Sequence, residues 1–198
     1  YPLRRQRQMC IRDRIIIVPF FVLAFYLPGF YGDLTALILF IVASFTDFLD
    51  GMLARMLGEE SKLGELLDPI ADKIIVATAL ILLVMDGTIR HYEVIAAIII
   101  LTREILISGL REFLAKGQIK LPVSNLAKLK TVLQMVSIAL LLSGETGNKI
   151  INFQDYNAQT IGIILLWLSA FLTLFTGYDY MRKGCLLYTS DAADEEDS

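Results

Sequence analysis

Four aspartates lie close together in the sequence, beside stretches apolar enough to cross a bilayer. Asp47 and Asp50 are three residues apart, and Asp68 and Asp72 are four apart. In a helix both spacings place side chains on one face. Carboxylates are costly in hydrocarbon, and a converging group of them repels strongly and resists ionisation. A divalent cation removes this objection, and oxygen ligands suit Mg²⁺, Mn²⁺ or Ca²⁺ better than zinc. The pattern therefore predicts a metal site.

Small residues accompany these acids. Gly51 follows Asp50, Ala54 lies about one turn further on, and Gly64 falls in a predicted hairpin, Met56–Leu67. Residues without bulk let a ligand approach the backbone closely. The same residues are also typical of helix–helix packing in membranes. Because these small residues accompany four aspartates, we favour the interpretation that they leave room for a ligand over the interpretation that they serve helix packing.

Two simpler interpretations of the acids remain open. Asp68 and Pro69 fit an N-cap followed by the first residue of a helix. Capping and metal ligation are compatible, because a carboxylate has two oxygens. Alternatively, all the acids face water at the membrane surface without binding anything.

The surrounding chain predicts an all-α integral membrane protein. Of its 198 residues 56% are hydrophobic, whereas soluble domains average about 45–50%, and the mean hydropathy is +0.61. The long apolar runs lack the alternation of strands, which favours helices. The net charge of −3 gives no reason to expect nucleic acid as a partner. Six transmembrane helices are predicted: Ile15–Tyr31, Leu34–Leu57, Pro69–Met85, Glu93–Ala115, Leu126–Ser143 and Gln159–Met181.

The two ends of the chain differ from the rest. Residues 1–14 and 185–198 are polar and resemble translated sequencing-adapter read-through, so we expect them to be non-native and the membrane domain to span residues 15–184. The alternative is a basic arm and an acidic tail. Cys10 and Cys185 both lie in these ends, so they indicate nothing about redox chemistry.

Basic residues predict the orientation in the membrane. Arg and Lys are enriched in cytoplasmic loops. One side collects Arg55, Lys62, Lys73, Arg111, Lys116, Lys120, Lys128, Lys130, Arg182 and Lys183, and the other collects Arg90 and Lys149. The acids, at the ends of the second and third helices, are thus predicted to face the cytoplasm. Tyr178 and Tyr180 are expected in an interfacial aromatic belt.

The acidic stretch reads D-x2-D-G-x2-A-R-x8-G-x3-D-x3-D, from Asp47 to Asp72. It resembles the signature of the CDP-alcohol phosphatidyltransferases, with each fixed position present. The wider chain, including "LDPIADKIIVATAL" and "TREILISGLREFLA", is similar to bacterial members whose acceptor is sn-glycerol 3-phosphate. The resemblance implies an enzyme of the bacterial cytoplasmic membrane that transfers the phosphatidyl group of CDP-diacylglycerol to this acceptor and releases CMP.

The resemblance also implies roles for individual residues. Asp47, Asp50, Asp68 and Asp72 would ligate two divalent ions, Mg²⁺ or Mn²⁺, and Asp72 would also be the general base. The family resemblance further implies a homodimer. Contacts with CDP-diacylglycerol are expected from Gly51, Ala54, Arg55, Ser61 and Gly64. An alcohol needs a base within hydrogen-bond reach, and Arg55 offers a planar fork to phosphate oxygens.

Charges inside the fourth helix indicate where the acceptor binds. Intramembrane charges usually face the bundle interior and mark function. Arg103, Arg111, Lys128 and Lys130 are predicted to form a cationic pocket for an acceptor that carries a phosphate. Alternatively, Arg103 pairs with Glu104 or Glu112, and the two lysines anchor the helix at the interface.

Other functions fit parts of the pattern. One alternative within the family is a synthase of the cardiolipin, phosphatidylserine or inositol-phosphate type, which uses a different acceptor alcohol. An intramembrane prenyltransferase also uses aspartates and Mg²⁺ on a diphosphate, but its acids typically lie in two distant motifs. A non-catalytic ion-binding membrane protein predicts metal binding without turnover.

Overall fold

The structure is a computed structural model that describes residues 17–27, 29–57, 62–116, 125–144, 147–148, 152–153 and 156–196. Within these ranges the side chains of residues 47–57, 62–72, 113, 115–116, 125, 152–153, 156 and 183–196 lie outside the description. The principal elements are α1 (residues 17–25), α2 (Phe30–Leu57), α3 (Lys62–Met85), α4 (Glu93–Lys116), α5 (Asn125–Leu142), β1 (Asn152–Phe153), β2 (Tyr156–Asn157) and α6 (Ala158–Glu196). Six predicted helices are thus present.

Helix boundaries differ from the predictions at the turn after α1. The first helix was predicted to reach Tyr31, but it ends at residue 25, and α2 begins at Phe30 rather than Leu34. Gly29 adopts a φ of 72°, a left-handed conformation that glycine tolerates and other residues rarely adopt. Its carbonyl accepts a hydrogen bond from the N–H of Gly32 at 2.9 Å, which closes the turn.

Helix α3 begins earlier than predicted, at Lys62 instead of Pro69. The predicted hairpin, Met56–Leu67, is therefore wrong, because α2 continues to Leu57 and only residues 58–61 separate the helices. Pro69 lies inside α3, so the N-cap interpretation of Asp68 is wrong too. Neighbouring groups in a membrane bundle can satisfy the backbone that an internal proline leaves unpaired.

The loop before α6 contains an antiparallel pair of two-residue strands that the sequence did not predict. Asn152 pairs with Asn157, and Phe153 pairs with Tyr156. Helix α6 then packs most extensively against α5 and α4. Close packing requires small residues: a Cβ on Gly162 would lie 2.9 Å from the Leu141 side chain. The hydroxyl of Ser137 donates to the carbonyl of Gly162 at 2.7 Å, which ties α5 to α6.

The core is apolar, and so is much of the outside. Its largest fully buried apolar side chains are Phe21, Phe40, Leu80, Leu83, Ile89, Ile100, Ile138, Leu141 and Leu166. Exposed apolar side chains on the helices include Ile38, Phe45, Ile98, Ile105, Phe171 and Phe175. Extensive exposed apolar surface is unfavourable in water and natural in lipid. Hydroxyls of Ser44, Thr46, Thr78 and Thr176 donate to carbonyls one turn back, which satisfies them within their own helices.

One helix in the described part of the chain is long and apolar enough to cross a membrane. This is the segment Ala158–Arg182 of α6, with a mean hydropathy of 2.0. Shorter apolar segments are Phe30–Thr46 and Lys73–Met85. The apolar run of α4 is interrupted by the charges of Arg103 and Glu104, although the helix itself is continuous. The six spans remain a prediction.

Candidate active site

The acidic signature lies on α2 and α3. Asp47 and Asp50 are on helical backbone before the end of α2, and Asp68 and Asp72 are on helical backbone after the start of α3. Asp50 and Asp68 each lie about two turns from the short connection, and the two helices contact each other. The predicted convergence of the four side chains, which lie outside the description, stays a prediction.

The other signature residues are located by backbone alone. Gly51, Ala54 and Arg55 belong to the last turns of α2, and Gly64 belongs to the first turn of α3. Ser61 lies outside the described residues. Their predicted contacts with CDP-diacylglycerol therefore remain predictions.

The chemistry of the donor set fits a pair of hard divalent cations. Four carboxylates stand on two contacting helices, at helical spacings of three and four residues. Such oxygen donors match the preferences of Mg²⁺ and Mn²⁺. Among the side chains that the structure describes, no group of three His, Cys, Asp or Glu residues forms an alternative metal site.

A partly buried charge cluster lies on α4 and α5. The ammonium of Lys130 donates a hydrogen bond to Oε1 of Glu104, and the Lys130 side chain is only 3% exposed. The same Oε1 lies 3.9 Å from Nη1 of Arg103. One carboxylate thus serves two cations, which leaves the group with a net positive charge among the described residues. Buried charges are tolerated when they are paired in this way.

Helix α6 contributes polar groups to the same cluster. Nη2 of Arg103 donates to the Thr176 hydroxyl at 3.0 Å. The guanidinium carbons of Arg103 and Arg111 lie 5.9 Å and 5.5 Å from the centre of the Tyr180 ring. Tyr180 is only 5% exposed, so the prediction that it belongs to an interfacial aromatic belt is wrong. Its neighbour Tyr178 is exposed.

Lys73 of α3 contacts the helix that carries Arg103 and Glu104. Its ammonium donates to the hydroxyl of Ser108 on α4 at 2.7 Å, and its charge acts repulsively on Lys130. Lys73 directly follows Asp72, so the Cα atoms of these two residues are about 3.8 Å apart. The backbone of the last aspartate of the signature therefore adjoins a residue whose side chain contacts α4 between Arg103 and Arg111.

The structure brings together some predicted acceptor residues and separates another. Glu104 joins Arg103 and Lys130, and the Tyr180 ring contacts both Arg103 and the exposed Arg111. Lys128, which is also exposed, makes none of these contacts. Lys128 and Lys130 are two residues apart on α5, which places their side chains on nearly opposite faces of the helix. The alternative in which Arg103 pairs with Glu104 is observed, although at a long distance.

Sequence reasoning did not assign Lys73, Ser108, Thr176 or Tyr180 to the site. A signal existed on α6, where Thr173, Thr176 and Tyr180 recur at spacings of three and four and are all buried. Such spacing marks one face of a helix. On α5, Lys130, Gln134 and Ser137 form a comparable buried row.

Comparison with known proteins identifies the family. The sequence model of the CDP-alcohol phosphatidyltransferase family matches residues 9–175. A Rickettsia felis protein named CDP-diacylglycerol–glycerol-3-phosphate 3-phosphatidyltransferase is 41% identical, covering 88% of this chain and 92% of its own length. Proteins of the same name from Rickettsia typhi and Haemophilus influenzae are 42% and 38% identical, each over 88% of this chain and over 93% and 91% of their own lengths. The chain belongs to the CDP-alcohol phosphatidyltransferase family.

Proposed function

We propose that this enzyme transfers the phosphatidyl group of CDP-diacylglycerol to sn-glycerol 3-phosphate, giving phosphatidylglycerophosphate and CMP. The observation that carries the choice of acceptor is the partly buried group of Arg103, Lys130 and Glu104. Two cations and one carboxylate form a site with net positive charge, which favours an alcohol bearing its own phosphate. The names of the similar bacterial proteins support the same reaction.

In this proposal the chain's residues bind the acceptor and move one proton. Arg103 and Lys130 bind the phosphate of glycerol 3-phosphate, and Glu104 holds both cations in place. Asp72, beside Lys73 on α3, accepts the proton of the primary hydroxyl. The hydroxyl oxygen forms a bond to the phosphatidyl phosphorus as the bond from that phosphorus to CMP breaks, and CMP leaves with the bond's electrons.

Arg55 and the small residues Gly51, Ala54 and Gly64 bind the CDP head, together with Ser61. The two divalent ions that Asp47, Asp50, Asp68 and Asp72 would hold neutralise charge on the diphosphate when bound. We place the enzyme in the bacterial cytoplasmic membrane as a homodimer, with six spans per chain and the acidic ends of α2 and α3 in the cytoplasm. The distribution of Lys and Arg between the loops supports this orientation.

An acceptor screen tests the function. The purified protein is given CDP-diacylglycerol, Mg²⁺ and one alcohol at a time: glycerol 3-phosphate, inositol phosphate, serine or phosphatidylglycerol. Mass spectrometry identifies the lipid product and CMP is measured separately. We expect phosphatidylglycerophosphate and one CMP per lipid formed. Turnover with another alcohol but not with glycerol 3-phosphate would overturn the acceptor. A parallel assay supplies a prenyl diphosphate in place of CDP-diacylglycerol, and release of pyrophosphate there, without CMP release from CDP-diacylglycerol, would indicate a prenyltransferase.

A further inference from the structure

One face of α6 holds the side chain of Arg103 at three successive points. The hydroxyl of Thr176 accepts from Nη2 at 3.0 Å. Gly177 leaves room for the stem, since a Cβ there would lie 3.2 Å from Cγ and 3.4 Å from Nε of Arg103. The ring of Tyr180 lies 5.9 Å from the guanidinium carbon. The arginine is therefore fixed from its stem to its tip.

The same tyrosine ring also contacts a second arginine. Arg111 follows Arg103 by about two helical turns on α4, and its guanidinium carbon is 5.5 Å from the Tyr180 ring centre. The two guanidinium groups repel each other. The negative face of an aromatic ring attracts both cations without introducing an anion. Tyr180 thus holds two positive charges near each other and leaves their capacity to bind an anion intact.

Arg103 retains a donor for such an anion. Its Nε is buried and has no hydrogen-bond acceptor among the residues that the structure describes. A buried donor of this kind costs free energy unless a partner arrives. Nε and an Nη group together form the fork that binds phosphate oxygens in a bidentate manner.

We propose that Thr176, Gly177 and Tyr180 are positioning residues that orient Arg103 and Arg111 toward the phosphate of the acceptor. They thereby contribute to the preference for a phosphorylated alcohol. This inference rests on the proposed function, which assigns Arg103 to the acceptor phosphate, and it adds Arg111 to the groups that bind this phosphate. None of the three α6 residues needs to touch the substrate.

Steady-state kinetics in detergent micelles test the proposal with Tyr180→Leu, which removes the ring, and Tyr180→Phe, which keeps it. Tyr178→Leu is the matched control, because this neighbouring tyrosine on the same helix is 71% exposed. We expect Tyr180→Leu to raise KM for glycerol 3-phosphate by about 3- to 30-fold, the range of a desolvated cation–π contact. KM for CDP-diacylglycerol should stay within about twofold. Tyr178→Leu should resemble the wild type, and Tyr180→Phe should raise KM for glycerol 3-phosphate less than Tyr180→Leu does.

Several outcomes would overturn the proposal. One is an unchanged KM for glycerol 3-phosphate in Tyr180→Leu, and another is an equal rise of KM for both substrates. Loss of binding in Tyr180→Phe as large as in Tyr180→Leu would also overturn it, because the ring would then not be responsible. If Tyr180→Leu does not fold, Thr176→Val takes its place. That variant should raise KM for glycerol 3-phosphate by about 3- to 10-fold, and an unchanged KM contradicts the proposal.

The wild type separates this inference from the proposed function. If the wild type transfers nothing to glycerol 3-phosphate but uses another alcohol, the proposed acceptor is wrong. If the wild type uses glycerol 3-phosphate and Tyr180→Leu retains the wild-type KM, only the positioning role has failed.

Discussion

Lys130 of α5 and Glu104 of α4 form a partly buried ion pair that joins two helices across 26 residues of sequence. Lys130 is 3% exposed and Glu104 is 22% exposed. Two features connect this pair to the proposed acceptor site. It shares its carboxylate oxygen with Arg103, and the helix that carries Glu104 is also contacted by Lys73, the residue directly after Asp72.

Removing the carboxylate should destabilise the bundle. Glu104→Gln leaves Lys130 buried without its counter-charge, and breaking a buried pair in this way costs about 3–5 kcal/mol. Thermal unfolding in detergent should show a lower midpoint. Glu112→Gln, at an exposed acid of the same helix, is the control and should lower the midpoint less than Glu104→Gln does, because exposed ion pairs contribute little. The double variant Glu104→Gln/Lys130→Met should recover part of the loss, and simple additivity of the two single effects would argue against the pair.

The two lysines of α5 should differ in their effect on acceptor binding. Lys130→Met removes a buried cation and should raise KM for glycerol 3-phosphate by about tenfold or more, the weight of a charged hydrogen bond. Lys128→Met removes the same charge from the exposed face and should stay within about twofold of the wild type. Steady-state kinetics with varied glycerol 3-phosphate compares them. A comparable rise for Lys128→Met would place Lys128 in the pocket, as the sequence predicted.

The proton acceptor can be tested without removing bulk. Asp72→Asn keeps the size of the side chain and removes its ability to take a proton, so kcat should fall by about 100-fold or more. Binding of CDP-diacylglycerol, measured by equilibrium dialysis of the labelled donor, should remain largely intact. Asp86→Asn, at an exposed acid outside the signature, is the control. Activity that survives in Asp72→Asn means that Asp72 is not the base.

Metal removal should abolish turnover reversibly. Treatment with EDTA should eliminate CMP release, and Mg²⁺ or Mn²⁺ should restore it, because carboxylate oxygens prefer these ions. Asp47→Asn should raise the concentration of Mg²⁺ required for half-maximal activity. Full activity in EDTA would exclude the proposed metal dependence, and an unchanged Mg²⁺ requirement in Asp47→Asn would remove that residue from the ligand set.

Two glycines should respond oppositely to alanine. Gly144 has a φ of 52°, and a Cβ there would lie 2.3 Å from Oδ2 of Asp33. Gly144→Ala combines backbone strain with this clash and should cost about 1–3 kcal/mol. Gly109, inside α4, has nothing within 4 Å of a built Cβ. Gly109→Ala should therefore be neutral or stabilise by up to about 1 kcal/mol, because glycine is a poor helix former. Unfolding midpoints of the two variants provide the comparison, and an unchanged midpoint in Gly144→Ala would contradict the strain.

Much of the fold is readable from the chain alone. Long apolar runs separated by polar loops locate six helices, and α4 begins at the predicted Glu93. The signature between Asp47 and Asp72 identifies the family on its own, because its residue types and spacings are specific. Helix ends are less predictable: a proline at position 69 looked like the start of α3, but the helix extends back to Lys62. An internal proline is tolerated in a membrane helix, so it does not mark a boundary there.

The composition of the acceptor pocket was decided by tertiary structure. Sequence spacing shows which side chains share a helix face, but it does not show which face meets a neighbouring helix. Lys128 and Lys130 look equivalent in the sequence, yet only Lys130 is turned toward Glu104. Tyr180 and Tyr178 look like a pair at the interface, yet only Tyr180 packs beneath two arginines. The sequence determined the family and the helices, whereas the packing of α4, α5 and α6 selected which polar side chains are buried together.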